Sequence, residues 1–192
     1  MKLLQIDSSV LGEHSVTRQL TAAIVARWQA EVRGLQVEVL DLEQAPLGPL
    51  TGALLGGEDE VGAARAAAVL EQFLAADVVV VGAPMYNFGP PSELKAWIDR
   101  IAVAGKTFRY TEQGPVGLAG DKRVILALAA GGPHHGQPTD FVEPYLRQVF
   151  GFLGVTDIET VRADGVSLSP AHRAAAIERA LEQIPPALAV AA

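Results

Sequence analysis

The 192-residue sequence contains no cysteine and has fewer basic than acidic residues. The lack of cysteine excludes disulfides, thiolate nucleophiles and thiolate metal ligands, so any redox chemistry requires a bound cofactor. With 15 Lys and Arg against 22 Asp and Glu, the formal net charge of -7 repels nucleic-acid phosphates and anionic lipid. The N-terminal apolar run is short and is closed by Asp7, which is unlike a signal peptide or an anchor. These features predict a cytoplasmic protein that binds neither nucleic acid nor membrane.

The chain is long enough and apolar enough to bury a core of its own. Its hydrophobic fraction is 49%, and its length is typical of a single domain. No repeat, low-complexity tract or shift in composition marks an internal boundary. We therefore predict one domain that spans residues 1–192.

Short apolar runs alternate with segments of helical periodicity along the chain. The runs predict strands at residues 3–6, 35–42, 78–81, 123–129 and 157–162. The periodic segments predict helices at about 15–33 and 61–75, from about 91, at about 139–153, and after Ser169-Pro170. Between these elements we expect a long loop at residues 43–60, a small excursion with a turn at 107–118, and a loose tail from Pro185 onward.

Five strands that alternate with five helices predict a parallel sheet with helices on both faces, because right-handed crossovers permit few other arrangements. The expected fold class is α/β, doubly wound. In such a sheet, ligands bind beyond the carboxyl ends of the strands, where the strand order reverses. The loops after the first, third and fourth strands are therefore the expected site.

The serine loop (residues 8–17) follows the first strand. It lacks G-x-G-x-x-G and G-x-x-x-x-G-K-[ST], the fingerprints of dinucleotide sites and P-loops, and it offers Ser9, Ser15 and Thr17 instead. Hydroxyls and unpaired backbone N–H groups at a helix N-terminus bind phosphate without Lys or Arg. A mononucleotide phosphate fits this loop, but a helix cap at Ser15 and a turn at Ser9 explain the same residues without a ligand.

The aromatic loop (residues 84–91) places a methionine and two aromatic residues at the end of a central strand. A flat tricyclic ring needs an apolar wall for its face and amide donors for its polar edge, and this loop has both, with Asn87 for the edge. The alternative is an aromatic turn that packs on its own domain. The glycine loop (residues 129–132) has small side chains, so its backbone suits either a close approach to a ring edge or a flexible turn.

No residue pattern indicates a metal site or a hydrolase. His134 and His135 are adjacent and follow a Gly-Gly-Pro turn, so we interpret them as surface-loop residues. His14 precedes the proposed phosphate site and either assists it or is simply solvated. The sequence has no G-x-S-x-G and no H-E-x-x-H, so nothing supplies a hydrolytic nucleophile or metal.

Four motifs occur in a characteristic order along the chain. They are Pro84-Met85-Tyr86-Asn87-Phe88, Leu94-Lys95-x-Trp97-Ile98-Asp99, Thr107-Phe108-Arg109-Tyr110-Thr111 and Gly114-Pro115-x-Gly117-Leu118. This series closely resembles the FMN-dependent NADH-azoreductases, and the resemblance covers most of the chain. It implies a flavodoxin-like sheet with the strand order 2-1-3-4-5.

The resemblance also implies the cofactor contacts. In that family, the positions that match Ser9, Ser15, Val16 and Thr17 hold the phosphate end of FMN, those that match Met85, Tyr86, Asn87 and Phe88 contact the isoalloxazine, and those that match Ala129, Ala130, Gly131 and Gly132 complete the pocket. Family members are homodimers with FMN at the interface. Tyr110 and Phe152 are accordingly candidates for aromatic contacts to the substrate, with core or interface packing as the alternative.

The activity that the resemblance implies is a ping-pong reaction in which the flavin N5, and no side chain, carries the chemistry. NADH or NADPH reduces FMN, and the two electrons then pass to a quinone or to an azo compound, whose cleavage to aromatic amines takes two such rounds. The alternative is a flavodoxin-type FMN electron carrier, which the acidic net charge permits.

Two departures from the family pattern bear on the site. Ala129 stands where relatives often carry a serine, so any contact there must come from the backbone, and flavin affinity is expected to differ. The loop at residues 43–60 looks shorter and differently charged than in relatives, and we expect it to shape the substrate mouth.

Overall fold

The protein is described by a computed structural model that covers residues 1–187. Its strands are β1 (Lys2–Asp7), β2 (Gln36–Asp41), β3 (Val78–Pro84), β4 (Phe108–Thr111), β5 (Gly114–Gly117), β6 (Arg123–Ala130) and β7 (Asp157–Asp164). Five of them form a parallel sheet in the order β2-β1-β3-β6-β7, and β4 and β5 form a separate antiparallel hairpin. Without the hairpin this is the order 2-1-3-4-5, so the predicted topology is confirmed.

Helices cover both faces of the sheet. They are α1 (Val16–Glu31), α2 (Gly52–Gly56), α3 (Glu60–Ala75), α4 (Ser92–Ile101), α5 (Val142–Phe152) and α6 (Pro170–Glu182). Helices α1 and α6 pack on one face, around Trp28, and α3, α4 and α5 pack on the other, around Trp97. Every residue of β3 and β6 is buried, because these central strands are covered on both sides.

The long loop at residues 43–60 contains one short helix that its Gly and Pro content concealed. The Thr51 side chain accepts a hydrogen bond from the Leu54 N–H (3.2 Å), which caps α2, and Gly57 ends it at φ 79°. Arg100 on α4 is buried and donates to the carbonyl oxygens of Leu47 and Pro49. The loop is thus pinned against α4.

Two predicted boundaries are wrong. Helix α5 begins at Val142 rather than near residue 139, because Thr139 and Asp140 use their side chains in bonds to His134 and Arg162. The expected loose tail is docked as far as the structure describes it, since Arg123 donates to the Pro186 oxygen at 3.1 Å. The Ala187 N–H also donates to Glu31 at 2.8 Å, and residues 188–192 of that predicted tail lie outside the described residues.

No helix within residues 1–187 has the length and apolar character needed to cross a bilayer.

Candidate functional site

A cavity of about 270 Å³ opens beyond the carboxyl ends of β1, β3 and β6. This is the position at which the sheet reverses its strand order, and it is where the three predicted loops meet. Nine of the predicted residues line it: Ser9, Ser15, Val16, Thr17, Met85, Tyr86, Ala129, Ala130 and Gly131. Asn87, Phe88 and Gly132 belong to the same loops but do not line the cavity.

The serine loop buries its hydroxyl groups and fixes each of them. Ser15 is the N-cap of α1, where its side chain accepts from the Arg18 N–H at 3.2 Å, and its hydroxyl lies 3.1 Å from that of Thr17. The Ser9 hydroxyl lies 3.0 Å from the Tyr86 hydroxyl and ties the serine loop to the aromatic loop. The N–H groups of Val16 and Thr17 have no backbone partner among residues 1–187. The cap reading of Ser15 is therefore confirmed, and the orphan donors that a phosphate requires are present beside it.

Arg18 holds the serine loop from behind, and the sequence analysis missed it. Its Nε and Nη2 donate to the Ser9 carbonyl oxygen at 3.2 and 2.9 Å, and Nη2 also donates to Asp41 Oδ1 at 2.8 Å. The hydrogen bond from Arg18 holds the pKa of Asp41 below its ordinary value. The pair therefore fixes the peptide group after Ser9 across 23 residues of sequence separation.

Asp7 ends β1 directly beneath the serine loop. It is buried, and this burial raises its pKa, although hydrogen bonds from Thr21 (2.8 Å) and Gln5 (2.7 Å) oppose the rise. Gly82 on the neighbouring strand leaves room for it, because a Cβ there would lie 3.1 Å from the Asp7 carboxylate. A charged Asp7 would repel an anion held by the serine loop, and the nearby Arg18 guanidinium opposes that effect.

The aromatic loop closes as a tight turn between Tyr86 and Gly89, whose N–H and C=O groups exchange hydrogen bonds of 2.9 and 3.0 Å. Both central residues have positive φ, 49° at Asn87 and 68° at Phe88. This is the pattern of a type I′ turn, for which glycine is preferred at the second position. A phenylalanine there is strained, and it is 52% exposed. Strain of this kind occurs at functional sites, where it positions a side chain for a ligand.

The glycine loop is held by the segment after β7. The N–H groups of Gly165, Val166 and Ser167 donate to the carbonyl oxygens of residues 132, 130 and 131. The N–H groups of Gly131 and Gly132 donate no backbone bond within residues 1–187. Ala129 is almost fully buried, and its carbonyl accepts from the Met85 N–H at 2.9 Å, which joins the glycine loop to the aromatic loop.

The segment after β7 also lines the cavity, through Val166, Ser167 and Arg173. No sequence motif in this segment indicated that it belongs to the site. The only available signal was its place after the last strand of the sheet, at the same carboxyl edge.

Tyr110 and Phe152 come together, but they do so away from the cavity. Both contact Phe108, with ring centroids 5.5 and 4.6 Å away. A close backbone approach holds the hairpin there, since a Cβ on Gly117 would lie 2.1 Å from the Gly154 nitrogen. Tyr110 is 74% exposed, whereas Phe152 is half-buried. Within one chain these residues do not reach the cavity, and residues 43–60 do not line it either, so both roles stay predictions.

His134 and His135 do not belong to the cavity lining. The rings of His134 and Phe88 pack perpendicular to each other, with 5.8 Å between their centroids. The surface-loop interpretation did not anticipate this contact. Ligand atoms of His135, Asp140 and Glu143 lie within 4.8 Å of one another, in the spacing of a metal site. The Arg162 guanidinium already bonds both carboxylates, at 2.8 and 2.7 Å, and so occupies this cluster.

Comparison with known proteins agrees with this geometry. Residues 1–185 match a family model for the flavodoxin-like fold. The FMN-dependent NADH:quinone oxidoreductase of Stenotrophomonas maltophilia (strain K279a) is 56% identical over 185 residues, 96% of this chain and 95% of that protein. The chain belongs to the family of FMN-dependent NADH:quinone oxidoreductases. The FMN-dependent NADH:quinone oxidoreductase 1 of Xanthomonas euvesicatoria pv. vesicatoria (strain 85-10) is 58% identical over 94% of this chain and 93% of its own length.

Solved structures place the family among the azoreductases. The azoreductase from Bacillus anthracis str. Sterne has a TM-score of 0.88 and 32% identity, with 96% of each chain covered. The FMN-dependent NADH-azoreductase from Bacillus anthracis str. Ames Ancestor, solved in complex with FMN, has a TM-score of 0.85 and 25% identity over 95% of each chain. Membership of this oxidoreductase family disfavours the electron-carrier alternative.

The residues of the cavity fit FMN. The orphan N–H groups of Val16 and Thr17, beside buried hydroxyls, match a phosphate group. Met85 supplies an apolar wall for a ring, and the N–H groups of Gly131 and Gly132 face no backbone acceptor that would compete for them. The serine loop thus has donors suited to the phosphate, the aromatic loop has an apolar surface suited to the ring face, and the glycine loop has N–H groups suited to the polar ring edge.

Proposed function

We propose that the protein is an FMN-dependent NADH:quinone oxidoreductase. One observation carries the proposal: three loops from three neighbouring strands meet in one cavity, with anion donors at one end and an apolar wall at the other. The relatives at 56 and 58% identity are named for this activity. NADH is the proposed donor because their names specify it.

The protein's residues bind and orient in this proposal, and the bound FMN supplies the two-electron redox chemistry. Ser15, Val16 and Thr17 hold the phosphate end through hydroxyl and backbone donors. Met85 and Tyr86 cover one face of the ring and keep water from it. Asn87 and the glycine loop bind its polar edge, so the remaining face is the stacking place for the nicotinamide and then the oxidant.

Azo compounds are the second proposed substrate class. The support is the likeness to two azoreductase structures at 32 and 25% identity. The cleft needed for a flat quinone also suits a flat azo dye. One round of two-electron transfer reduces a quinone, and two rounds, with two molecules of nicotinamide donor, supply the four electrons that cleave an azo bond to two amines.

We also propose that the working unit is a homodimer in the cytoplasm, where the nicotinamide donor is regenerated. In it, the exposed Tyr110 and the neighbouring Phe152 of one subunit contact the substrate at the other subunit's cavity. The support is the exposed apolar surface of the hairpin, which includes Val116 and Leu118 at 41% exposure each. Sedimentation of the purified protein tests the dimer, and Tyr110→Ala is expected to raise the KM for quinone without releasing FMN.

Steady-state kinetics test the activity. Purified protein with FMN is expected to oxidise NADH in the presence of a benzoquinone and to show the parallel double-reciprocal lines of a ping-pong reaction. Protein that binds FMN but gives no turnover would be acting as an electron carrier and would overturn the proposal. The same assay with NADPH measures donor preference.

Asn87 gives a residue-level test of the flavin site. A bulky apolar residue at this position would combine loss of the amide with backbone strain at φ 49°, whereas Asn87→Gly removes the amide and tolerates that conformation. We expect Asn87→Gly to weaken FMN binding by about tenfold, as for one lost hydrogen bond. Unchanged FMN affinity in a titration would remove Asn87 from the site.

A further inference from the structure

Arg173 is a residue of helix α6 whose side chain reaches the serine loop. It is half-buried and belongs to the cavity lining. Its Nη2 donates a hydrogen bond of 2.7 Å to the main-chain oxygen of His14. His14 directly precedes Ser15, the N-cap of α1. The guanidinium is therefore held one residue from the proposed phosphate donors, although 159 residues separate it from His14 in sequence.

Arg173 has no acidic partner among residues 1–187. Among the other arginines with little exposure, Arg18 pairs with Asp41, Arg123 with Glu159, and Arg162 with three carboxylates. Arg100 instead directs its donors to main-chain oxygens away from the cavity lining. The bond to His14 is the one hydrogen bond that the Arg173 side chain makes within the described chain. A guanidinium carries several N–H donors, so most of those on Arg173 remain available to a ligand.

A phosphate dianion carries more negative charge than the serine loop offsets, although the loop can bind it. The hydroxyl groups are neutral, and the N-terminus of α1 offers only about half an elementary charge. The charge of Arg18 is matched by Asp41. Among the residues that the structure describes, Arg173 is the one lysine or arginine in the cavity lining. The cavity therefore holds a single unmatched cation, at its phosphate end.

We propose that Arg173 binds the 5′-phosphate of FMN and makes the site selective for FMN over riboflavin. The proposal rests on the proposed function, since it takes FMN as the occupant of this cavity. It assigns the charge of the phosphate site to a residue on the last helix, whereas the serine loop provides the neutral donors. The shared chemistry is recognition of a phosphate group, and the phosphates of the nicotinamide donor are the other possible source.

Flavin titrations of the full-length protein test the proposal. Flavin is removed, folding is checked by circular dichroism, and FMN and riboflavin are each titrated by fluorescence quenching. Arg173→Gln is expected to weaken FMN binding by about tenfold or more, the size of a charge-assisted hydrogen bond, and to leave riboflavin binding unchanged. Arg173→Lys is expected to retain part of the selectivity, because it keeps the charge but loses the planar fork. Raised salt is expected to narrow the gap between wild type and Arg173→Gln.

Arg179→Gln is the matched control, because Arg179 lies on the same helix but lines a different cavity, beside Arg162. It is expected to leave both flavin affinities unchanged. Equal losses of FMN and riboflavin in Arg173→Gln would mean that Arg173 acts through the His14 main chain, and unchanged FMN affinity would mean no role. An effect confined to the KM for NADH would assign the residue to the nicotinamide donor. Each of these results overturns the proposal.

Failure of this proposal is distinguishable from failure of the proposed function. Wild-type protein that binds neither flavin refutes the FMN site as a whole. Wild-type protein that binds FMN and turns over NADH, with Arg173→Gln behaving identically, refutes only the role of Arg173.

Discussion

At one end of the cavity the serine loop buries its hydroxyl groups and bonds every one of them, while at the other end the aromatic loop exposes Phe88 in a left-handed conformation. The first arrangement sets N–H and hydroxyl donors in place before a ligand arrives. The second holds a side chain out of the core at a cost in backbone energy. An anion needs fixed donors, whereas a flat ring needs a wall that projects. The hydrogen bonds of the serine loop therefore stabilise the folded chain, whereas the backbone strain at Phe88 destabilises it.

The largest expected effect comes from removing the support of the serine loop. Arg18→Met leaves the Ser9 carbonyl and the mostly buried Asp41 carboxylate without their partner. We expect a loss of about 2 kcal/mol in the free energy of unfolding, from broken charged hydrogen bonds in a partly exposed pair. FMN affinity should fall as well, because the loop is no longer fixed. Urea unfolding of flavin-free protein and FMN titration measure the two effects.

The control for this change is Arg27→Met on the same helix, where the pair with Glu31 is more exposed. It should leave FMN affinity intact. The effect of Arg18→Met should also depend on pH, because the folded protein lowers the pKa of Asp41. The resulting stability is present above the ordinary pKa of 3.8 and is lost as the pH falls through the lower pKa of the folded state. The stability gap between wild type and variant should therefore narrow in acid, and the part that comes from the bonds to the Ser9 carbonyl should remain. A stability gap that stays constant from neutral to acidic pH would contradict the assigned role of the pair.

The opposite end should respond in the opposite direction. Phe88→Gly removes a side chain that is largely exposed and relieves the strain at φ 68°. We expect flavin-free protein to become more stable by about 1 kcal/mol, after the entropy of glycine is subtracted. FMN binding or quinone turnover should fall, because the projecting ring is lost. Thermal unfolding and steady-state kinetics of the same preparation show whether stability rises as function falls.

Phe141→Gly provides the comparison for that variant. Phe141 is similarly exposed, at 57%, but its φ of -98° is unstrained. Glycine there relieves no strain, and as the N-cap of α5 it should raise the melting temperature by less than Phe88→Gly does. If both glycine variants shift the melting temperature equally, strain at Phe88 is not the cause.

The sequence predicts the fold and the place of the site because both follow from local patterns. Buried runs such as residues 78–81 mark central strands, and parallel topology brings their ends together. Long-range side-chain bonds carry no such signal. Arg18 reaches Asp41 and Arg173 reaches His14 only after folding, so both were missed. The docked chain end at Ala187 was missed for the same reason, because its partner is Glu31.

The smallest expected effect comes from removing the hydrogen bond that joins the serine loop to the aromatic loop. Tyr86→Phe deletes the 3.0 Å bond between the Tyr86 and Ser9 hydroxyls and changes little else. One neutral hydrogen bond contributes about 0.5–1.5 kcal/mol, so FMN affinity should fall only about threefold. Tyr145→Phe is the control, since Tyr145 packs against the core on α5, away from the cavity lining. In combination with Arg18→Met, Tyr86→Phe should cost more than it does alone if both bonds fix Ser9. Strictly additive losses in a double-mutant cycle would mean that the two ends of the cavity act independently.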